Sequence, residues 1–482
     1  MSDFWKNYDS KSTFDGYISK DKKLRSHAKI ISGILEKYGK KRLQEIELNC
    51  QSTINARGIN FRVYSASNRA EEKKWPLDII PRIITKSQWK TVSNGLSQRI
   101  KALNLFIDDV YNQKKIFKDK IIPKELVFNS PQYLKECDGF SPKHKAWANI
   151  SGTDLIKNIN GNFLVLEDNL RVPSGVSYML ENREIMMKMF PDLFHTNRVL
   201  RVDDYPTRLL QTLMSLAPKK CDSSIPTVVL LTPGHLNSAY YEHTFLSDQM
   251  GIEMVESQDL FVENDLLYMK TVDGPKKIDV VYRRIDDEFL DPLCYNPDSV
   301  IGVPGITQVY KTGGVNICSA PGAGIADDKA IYIFVPEMIK FYLGETPILD
   351  NVETWRCERD DELTYVLENI EKLVVKEVDG SGGYGMLIGP KSTKDQISEF
   401  STKLKSNPRG YIAQPTLDLS SSPTLIDNEV SGRRVDLRPF CLVGEKVQLC
   451  PGGLTRVALN KGSYVVNSSQ GGGVKDTWVL AD

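Results

Sequence analysis

Apolar residues recur with helical spacing in some stretches of this chain and with strand alternation in others. Trp89, Val92, Leu96, Ile100, Leu103, Ile107 and Val110 step by three and four, which predicts a helix beginning at Ser87. A shorter face, Ala28, Ile31, Leu35 and Tyr38, predicts another helix, which Gly39 and the Lys40-Lys41-Arg42 run end or interrupt. The charge run itself reads as a solvated face. Residues 61–64 alternate as a strand, whereas residues 75–84, WPLDIIPRII, are apolar with two prolines and suit a packed connection.

Residues 153–159 and 162–168 read as strands, and the dipeptide between them, Asn160-Gly161, is a strong hairpin signal. From 198 to 320, strand-like runs at 226–231, 252–255, 266–270 and 278–282 accompany a helical stretch at 238–250 that Gly251 closes. Strands alternating with helices predict an open α/β unit with a mostly parallel sheet. The small-residue loop 319–329 leads into a helix whose N-terminus suits Asp327 and Asp328. Residues 411–415 read as a short strand entering a proline turn, and 435–449 as a hairpin about Gly444-Glu445. The fold class expected is α/β.

Chemistry concentrates in two of these stretches. A two-residue turn at Asn160-Gly161 sets Asp154 opposite Glu167, with Asn169 on the same face as Glu167. Carboxylates opposed across a ladder repel unless a cation lies between them, and Asp, Glu and Asn oxygens suit Mg2+ bound together with substrate phosphates. The bland alternative is two solvated carboxylates held apart by water. Residues 373–390, LVVKEVDGSGGYGMLIGP, place Lys376 on a β-branched run, then Ser381 among four glycines, then a second apolar run cut at Pro390. Glycines let backbone N–H groups converge, and an adjoining lysine adds a full charge, so this stretch reads as a flap over a polyphosphate. Gly380, Gly382 and Gly385 also spell G-x-G-x-x-G, but residues 386–390 are too short for the helix that a dinucleotide fingerprint needs. Strand–loop–strand is preferred, with an ordinary glycine-rich hairpin as the other reading. His235 and His243 lack the closely spaced partners of a metal site. Arg283, Arg284, Asp286 and Asp287 are read as pairing with one another rather than lining an anion site, and Lys329, taken alone, as surface.

Composition narrows the partners. The 482 residues allow roughly three domains of ~150 each. Acidic and basic residues balance at 62 each, which removes any global attraction to nucleic acid or anionic membrane. None of the eight cysteines forms C-x-x-C, so buried free thiols in a reducing compartment are expected. The N-terminal residues lack an apolar signal core, and no run reaches the ~18 apolar residues of a membrane span. A cytoplasmic protein is expected; oligomeric state is not encoded legibly.

In their order along the chain, SGTDLIKNINGNFLVLEDNLRVPSG (151–175), ADDKAIYIFVPEMI (326–339), VVKEVDGSGGYGM (374–386), YIAQP (411–415), VDLRPF (435–440) and PGGLTRVAL (451–459) resemble the circularly permuted type 2 family of the ATP-grasp superfamily, relatives of glutathionylspermidine synthase-like proteins. The likeness runs from about residue 57 to the end. Permutation accounts for the acidic motif preceding the flap, the reverse of the usual ATP-grasp order. The resemblance implies Lys329 and Lys376 as phosphate lysines, Ser381, Gly382 and Gly383 as the phosphate cover, and Ala413, Gln414 and Pro415 as the adenine hinge. It implies Asp154, Glu167 and Asn169 as Mg2+ ligands, and Arg438 and Arg456 as catalytic arginines that steady the transferred phosphoryl group, although an arginine merely paired with Asp436 would look the same. It divides the chain into an N-terminal helical segment (1–56), an ATP-grasp part with the metal hairpin (57–197), an open α/β domain (198–320) and an ATP-grasp part with the flap (321–482). The activity implied is joining a small-molecule or peptide carboxylate to an amine at the expense of ATP, through an acyl phosphate. The rival readings are an ATP-binding protein that is inactive or acts only in a complex, and an enzyme that stops at a phosphorylated product.

Overall fold

The computed structural model describes the chain except residues 1–4, 6–7, 9–12, 65–69, 381–384, 428, 464–465, 467–470 and 482, and describes 61–64, 70–74 and 195 by backbone alone. Its spine is the helix Lys86–Tyr111, which begins one residue before the predicted start because Thr85 caps it. Thr85 and Gln88 exchange side-chain-to-backbone bonds of 3.2 and 3.3 Å, a reciprocal box that satisfies donors the first turn leaves open. The helix buries Arg99, Asn104, Asp108 and Asp109 along with its apolar face. It can therefore anchor polar groups from several layers at once. The earlier helix, Lys29–Ala56, is interrupted at Gly39 (φ 68°, ψ 170°) and continues beyond it.

Residues read as a packed connection form a strand instead. Leu77–Ile84 is buried throughout and pairs in parallel with Gly473–Val479 near the other end of the chain. Pro81 disguised it, because proline cannot donate to a ladder. The structure tolerates Pro81 at the sheet's edge strand, next to the register shift between Lys475 and Thr477. Early and late segments are woven together elsewhere too. Phe440–Val443 pairs with Ile150–Gly152, and Asp350–Asn351 pairs with Phe163–Glu167. Residues before 200 and after 340 thus share sheets.

The middle of the chain contains the expected parallel sheet, in the order Asn316–Cys318, Val280–Arg283, Val228–Leu231, Glu253–Val255. The run near 266–270 does not join it. Leu266–Thr271 sits between Leu260–Glu263 and Gly274–Ile278 in a separate antiparallel sheet. A smaller lobe holds the antiparallel strands Trp355–Arg356, Tyr411–Pro415, Leu373–Glu377 and Leu387–Ile388. It has its own apolar cluster, including Val366, Ile370, Leu373, Val375, Leu387 and Leu404, apart from the large core of the remainder. All eight cysteines are free thiols, as expected; six are buried, whereas Cys221 and Cys294 are only half-buried. Among the described residues no helix is long and apolar enough to cross a membrane.

Candidate functional site

A cleft of about 700 Å³ lies where the small lobe faces the main body. The hairpin Asp154–Lys157 and Phe163–Glu167 supplies its acidic wall. The turn is longer than the two residues expected from Asn160-Gly161. Lys157 pairs with Phe163, and Asn158 organises residues 158–162 by accepting at its Oδ1 from the Asn160 and Asn162 N–H groups, both at 3.0 Å. That register alone would leave Asp154 opposite Leu166. A bulge between Asp154 and Leu155 restores the expected partner, Glu167. Bulges re-aim side chains in this way. The expected pair is therefore present, by a route the sequence reading did not foresee.

Asp154 is fully buried and held by two arginines. Arg438 donates to its oxygens at 2.5 and 2.8 Å, and Arg456 Nη2 to Oδ2 at 2.7 Å. Burial pushes the Asp154 pKa up, but the two guanidinium groups outweigh it and hold the carboxyl well below the usual range. Arg456 also grips Asp436 through Nε at 2.9 Å. Burial would lower the Arg456 pKa, and Asp154 and Asp436 together raise it. Both arginines line the cleft, so the pairing with Asp436 that the sequence left open for Arg456 exists beside a position facing the site.

The donor set fits a hard cation. Arg438 takes one of the sites on Asp154 Oδ1, and each carboxylate oxygen has two, so one remains. Asn169 donates its Nδ2 to the Gly152 carbonyl at 3.0 Å, which leaves Oδ1 as its acceptor, and both Asn169 and Glu167 line the cleft. Among the described residues no group of three or more His, Cys, Asp or Glu side chains forms a metal cluster. The set here has two carboxylates and one amide, and oxygen-only donors with room for phosphate and water suit Mg2+.

Opposite lies the flap. Leu373–Glu377 and Leu387–Ile388 are paired antiparallel, Val374 with Ile388 and Val375 with Leu387, so the glycine stretch joins two strands and the dinucleotide reading falls. Ser381, Gly382 and Gly383 lie outside the described residues. Lys376 donates to Gln414 Oε1 at 2.8 Å, and Gln414 in turn donates to Thr354 Oγ1 at 3.0 Å. Burial lowers the Lys376 pKa, Glu167 raises it and Lys329 lowers it, so these three charges from separate elements feel one another. Lys329, taken alone as surface, donates to the Gly380 carbonyl at 2.5 Å and lines the cleft. Gln414 and Pro415 line it as well, beside the apolar side chains of Ile156, Leu166, Met386, Ile388 and Leu417. Ala413 is fully buried in the middle of its sheet, paired with both Trp355 and Val375, and is not among the residues of the cleft wall.

Other candidates separate. Asp328 caps the helix Lys329–Tyr332, accepting from Ala330 N at 2.8 Å, while Asp327 reaches back to Leu170 N and Arg171 Nε at 2.6 and 2.9 Å. Arg283 pairs with Asp287 as expected, but Arg284 binds Glu242 and Asp286 lies 3.6 Å from Arg171. His243 bonds to Thr232, and burial pushes its pKa down to about 2. Sequence reasoning missed Asp168, which accepts three bonds from buried Arg99. Its signal was alternation, since Asp168 must face away from Glu167 and Asn169.

The family model for circularly permuted ATP-grasp type 2 proteins matches residues 81–458. The chain belongs to that family. It is 52% identical to an uncharacterised protein of Synechocystis sp. over 424 residues, covering 88% of each chain. A Frankia casuarinae protein provisionally named glutamate–cysteine ligase 2-2 is 37% identical over 469 residues, 97% of this chain and 53% of that protein. Among solved structures, a glutathione synthetase-like effector from Globodera pallida in its apo form superposes with a TM-score of 0.56 at 12% identity, over 90% of this chain and 96% of the effector. That likeness concerns fold. Family membership supports an ATP-dependent ligase in general terms.

Proposed function

We propose that this ATP-grasp protein is a carboxylate–amine ligase that works through an acyl phosphate. The supporting observation is that Asp154, Glu167 and Asn169 line the same cleft as Lys329 and Lys376, although these groups come from four separate stretches of chain. In this reading the two lysines hold the ATP phosphates, and Ser381, Gly382 and Gly383 cover them. Gln414 and Pro415 flank the adenine, with the apolar side chains beneath it. Mg2+, held by Asp154, Glu167 and Asn169, supplies charge neutralisation on the transferred group. A substrate carboxylate oxygen attacks the γ-phosphorus, the bond to the β–γ bridging oxygen breaks, and ADP leaves. The amine nitrogen then attacks the acyl carbon, the carbon–oxygen bond to phosphate breaks, and the amine gives one proton to solvent. Arg438 and Arg456 steady the negative charge in both steps, so catalysis is positioning plus electrostatics with no protein nucleophile. The substrates are a small-molecule or peptide carboxylate and an amine, in line with the name of the Frankia relative, in a cytoplasmic setting.

One observation favours a rival. Both oxygens of Asp154 already accept from arginines, which suits a protein that binds ATP but turns over only in a complex, or not at all. An ADP-release screen over pooled carboxylates and amines, with Lys376→Ala as the blank, separates the readings. Release of ADP and phosphate that needs both pools is expected. Production of only AMP and pyrophosphate would overturn the mechanism. ADP release indifferent to amine would indicate an enzyme that stops at a phosphorylated product.

A further inference from the structure

We infer that Arg99 and Asp168 are positioning residues that hold the acidic hairpin and the turn bearing Lys329 in one rigid frame; the inference rests on the nucleotide reading above. Asp168 lies between Glu167 and Asn169, and its side chain points to the other face, 1% exposed, against an equally buried Arg99. Arg99 Nε reaches both carboxylate oxygens at 2.9 and 3.0 Å, and Nη2 adds a bond of 2.6 Å. Thr153 Oγ1, one residue before Asp154, donates to the same carboxylate at 3.1 Å. One side chain therefore ties both strands together where the bulge disrupts their ladder. Side-chain bonds must fix the geometry there.

The frame continues to the phosphate side. Arg99 Nη1 donates to Asn351 Oδ1 at 2.7 Å, and Asn351 Nδ2 to the Tyr332 carbonyl at 2.9 Å. The guanidinium also lies 5.3 Å from the centre of the Tyr332 ring. Tyr332 OH donates to the Val165 carbonyl at 2.5 Å and accepts from Val352 N at 2.9 Å. Tyr332 ends the one-turn helix that Lys329 begins. The spacing between the carboxylates and Lys329 is thus set through one hydrogen-bonded path anchored on the spine helix. A buried ion pair is weak evidence for stability, because an apolar pair of similar size serves equally well. Its fork geometry is what an apolar pair cannot reproduce.

The test is the Mg2+ midpoint of thermal stabilisation by ATP, measured on the full chain alongside ATP binding in EDTA. Asp168→Asn should raise the midpoint about 10- to 100-fold, the usual effect of losing an outer-shell partner. Thr153→Val, which loses a single bond, should raise it by a smaller factor while ATP binding in EDTA stays unchanged. The double variant Arg99→Met/Asp168→Leu should regain stability and keep the raised midpoint. A folded double variant with the wild-type midpoint would overturn the inference by reducing the pair to a packing role. Should Asp168→Asn fail to fold, a wild-type midpoint in Thr153→Val would do the same. If the wild type itself shows no Mg2+-dependent response to ATP, the nucleotide reading falls and this inference with it. A wild type that responds to Mg2+, with variants whose midpoint stays at the wild-type value, defeats the inference alone.

Discussion

The two hairpins that face each other across the cleft are built in opposite ways. The acidic hairpin packs Leu155, Phe163 and Val165 into the main core and Ile156, Leu164 and Leu166 into a small cluster beside it, and its polar ends are tied to Arg99, Arg438 and Arg456. The flap hairpin pairs at two positions with its second strand and rests on the small cluster around Val366, Leu373 and Val375. A cation site rewards fixed ligands, because misplacement of an oxygen is felt directly in affinity. A cover over a substrate needs to open, and motions of this kind draw on the less stable parts of a protein. One hairpin is therefore braced and the other is set on a separate, lighter foundation.

The largest effect that would test this contrast is at the flap's charge. Lys376→Ala should cost about 10³-fold in ATP turnover, or ~4 kcal/mol, as expected for losing a group aimed at transferred charge, and its fold should survive, as read by circular dichroism. On the braced side the expected loss is in folding. Arg99→Met strands Asp168 as a buried unpaired carboxylate and should cost ~3–5 kcal/mol of global stability in urea titration. Leu373→Ala should cost about 3 kcal/mol, a typical large-to-small core penalty. Hydrogen exchange should show that loss confined to the small lobe; acceleration spread over the spine helix would break the distinction between the two foundations.

The smallest effect concerns acid. Burial holds the folded pKa of His243 at about 2, below its ordinary value of 6.5. The unfolded chain takes up the proton first as pH falls, so the stabilising contribution is full above pH 6.5 and drains away toward pH 2. This group should weaken the fold by about 1.4 kcal/mol per pH unit below 6.5, and His243→Gln should remove that slope. The small lobe, residues 355–415, contains no histidine. Acid should therefore loosen the main body before the lobe, which exchange at pH 5 can read.

Much of this was legible in the sequence where information is local. Period placed the spine helix to within one residue of its start, a glycine loop between apolar runs placed the flap, and alternation put Glu167 and Asn169 on one face. Local signals failed where a distant partner decides the outcome. Two prolines hid the strand Leu77–Ile84, whose partner lies at the far end of the sequence, as in the pairing of Leu77 with Val474, 397 residues on. Asp154 meets Glu167 through a bulge that no turn dipeptide encodes. The arginines on Asp154 come from 284 and 302 residues away. Only the folded chain shows that Asp154 is already shared between them.

Whether both hairpins serve one nucleotide is tested most directly by ATP-driven thermal stabilisation with and without Mg2+ in three proteins. The wild type should be stabilised by ATP and further by Mg2+. Lys376→Ala should lose both increments, and Glu167→Ala should keep the metal-free increment and lose the one that Mg2+ adds. An Mg2+ increment undiminished in Glu167→Ala, or ATP stabilisation undiminished in Lys376→Ala, would contradict a shared site.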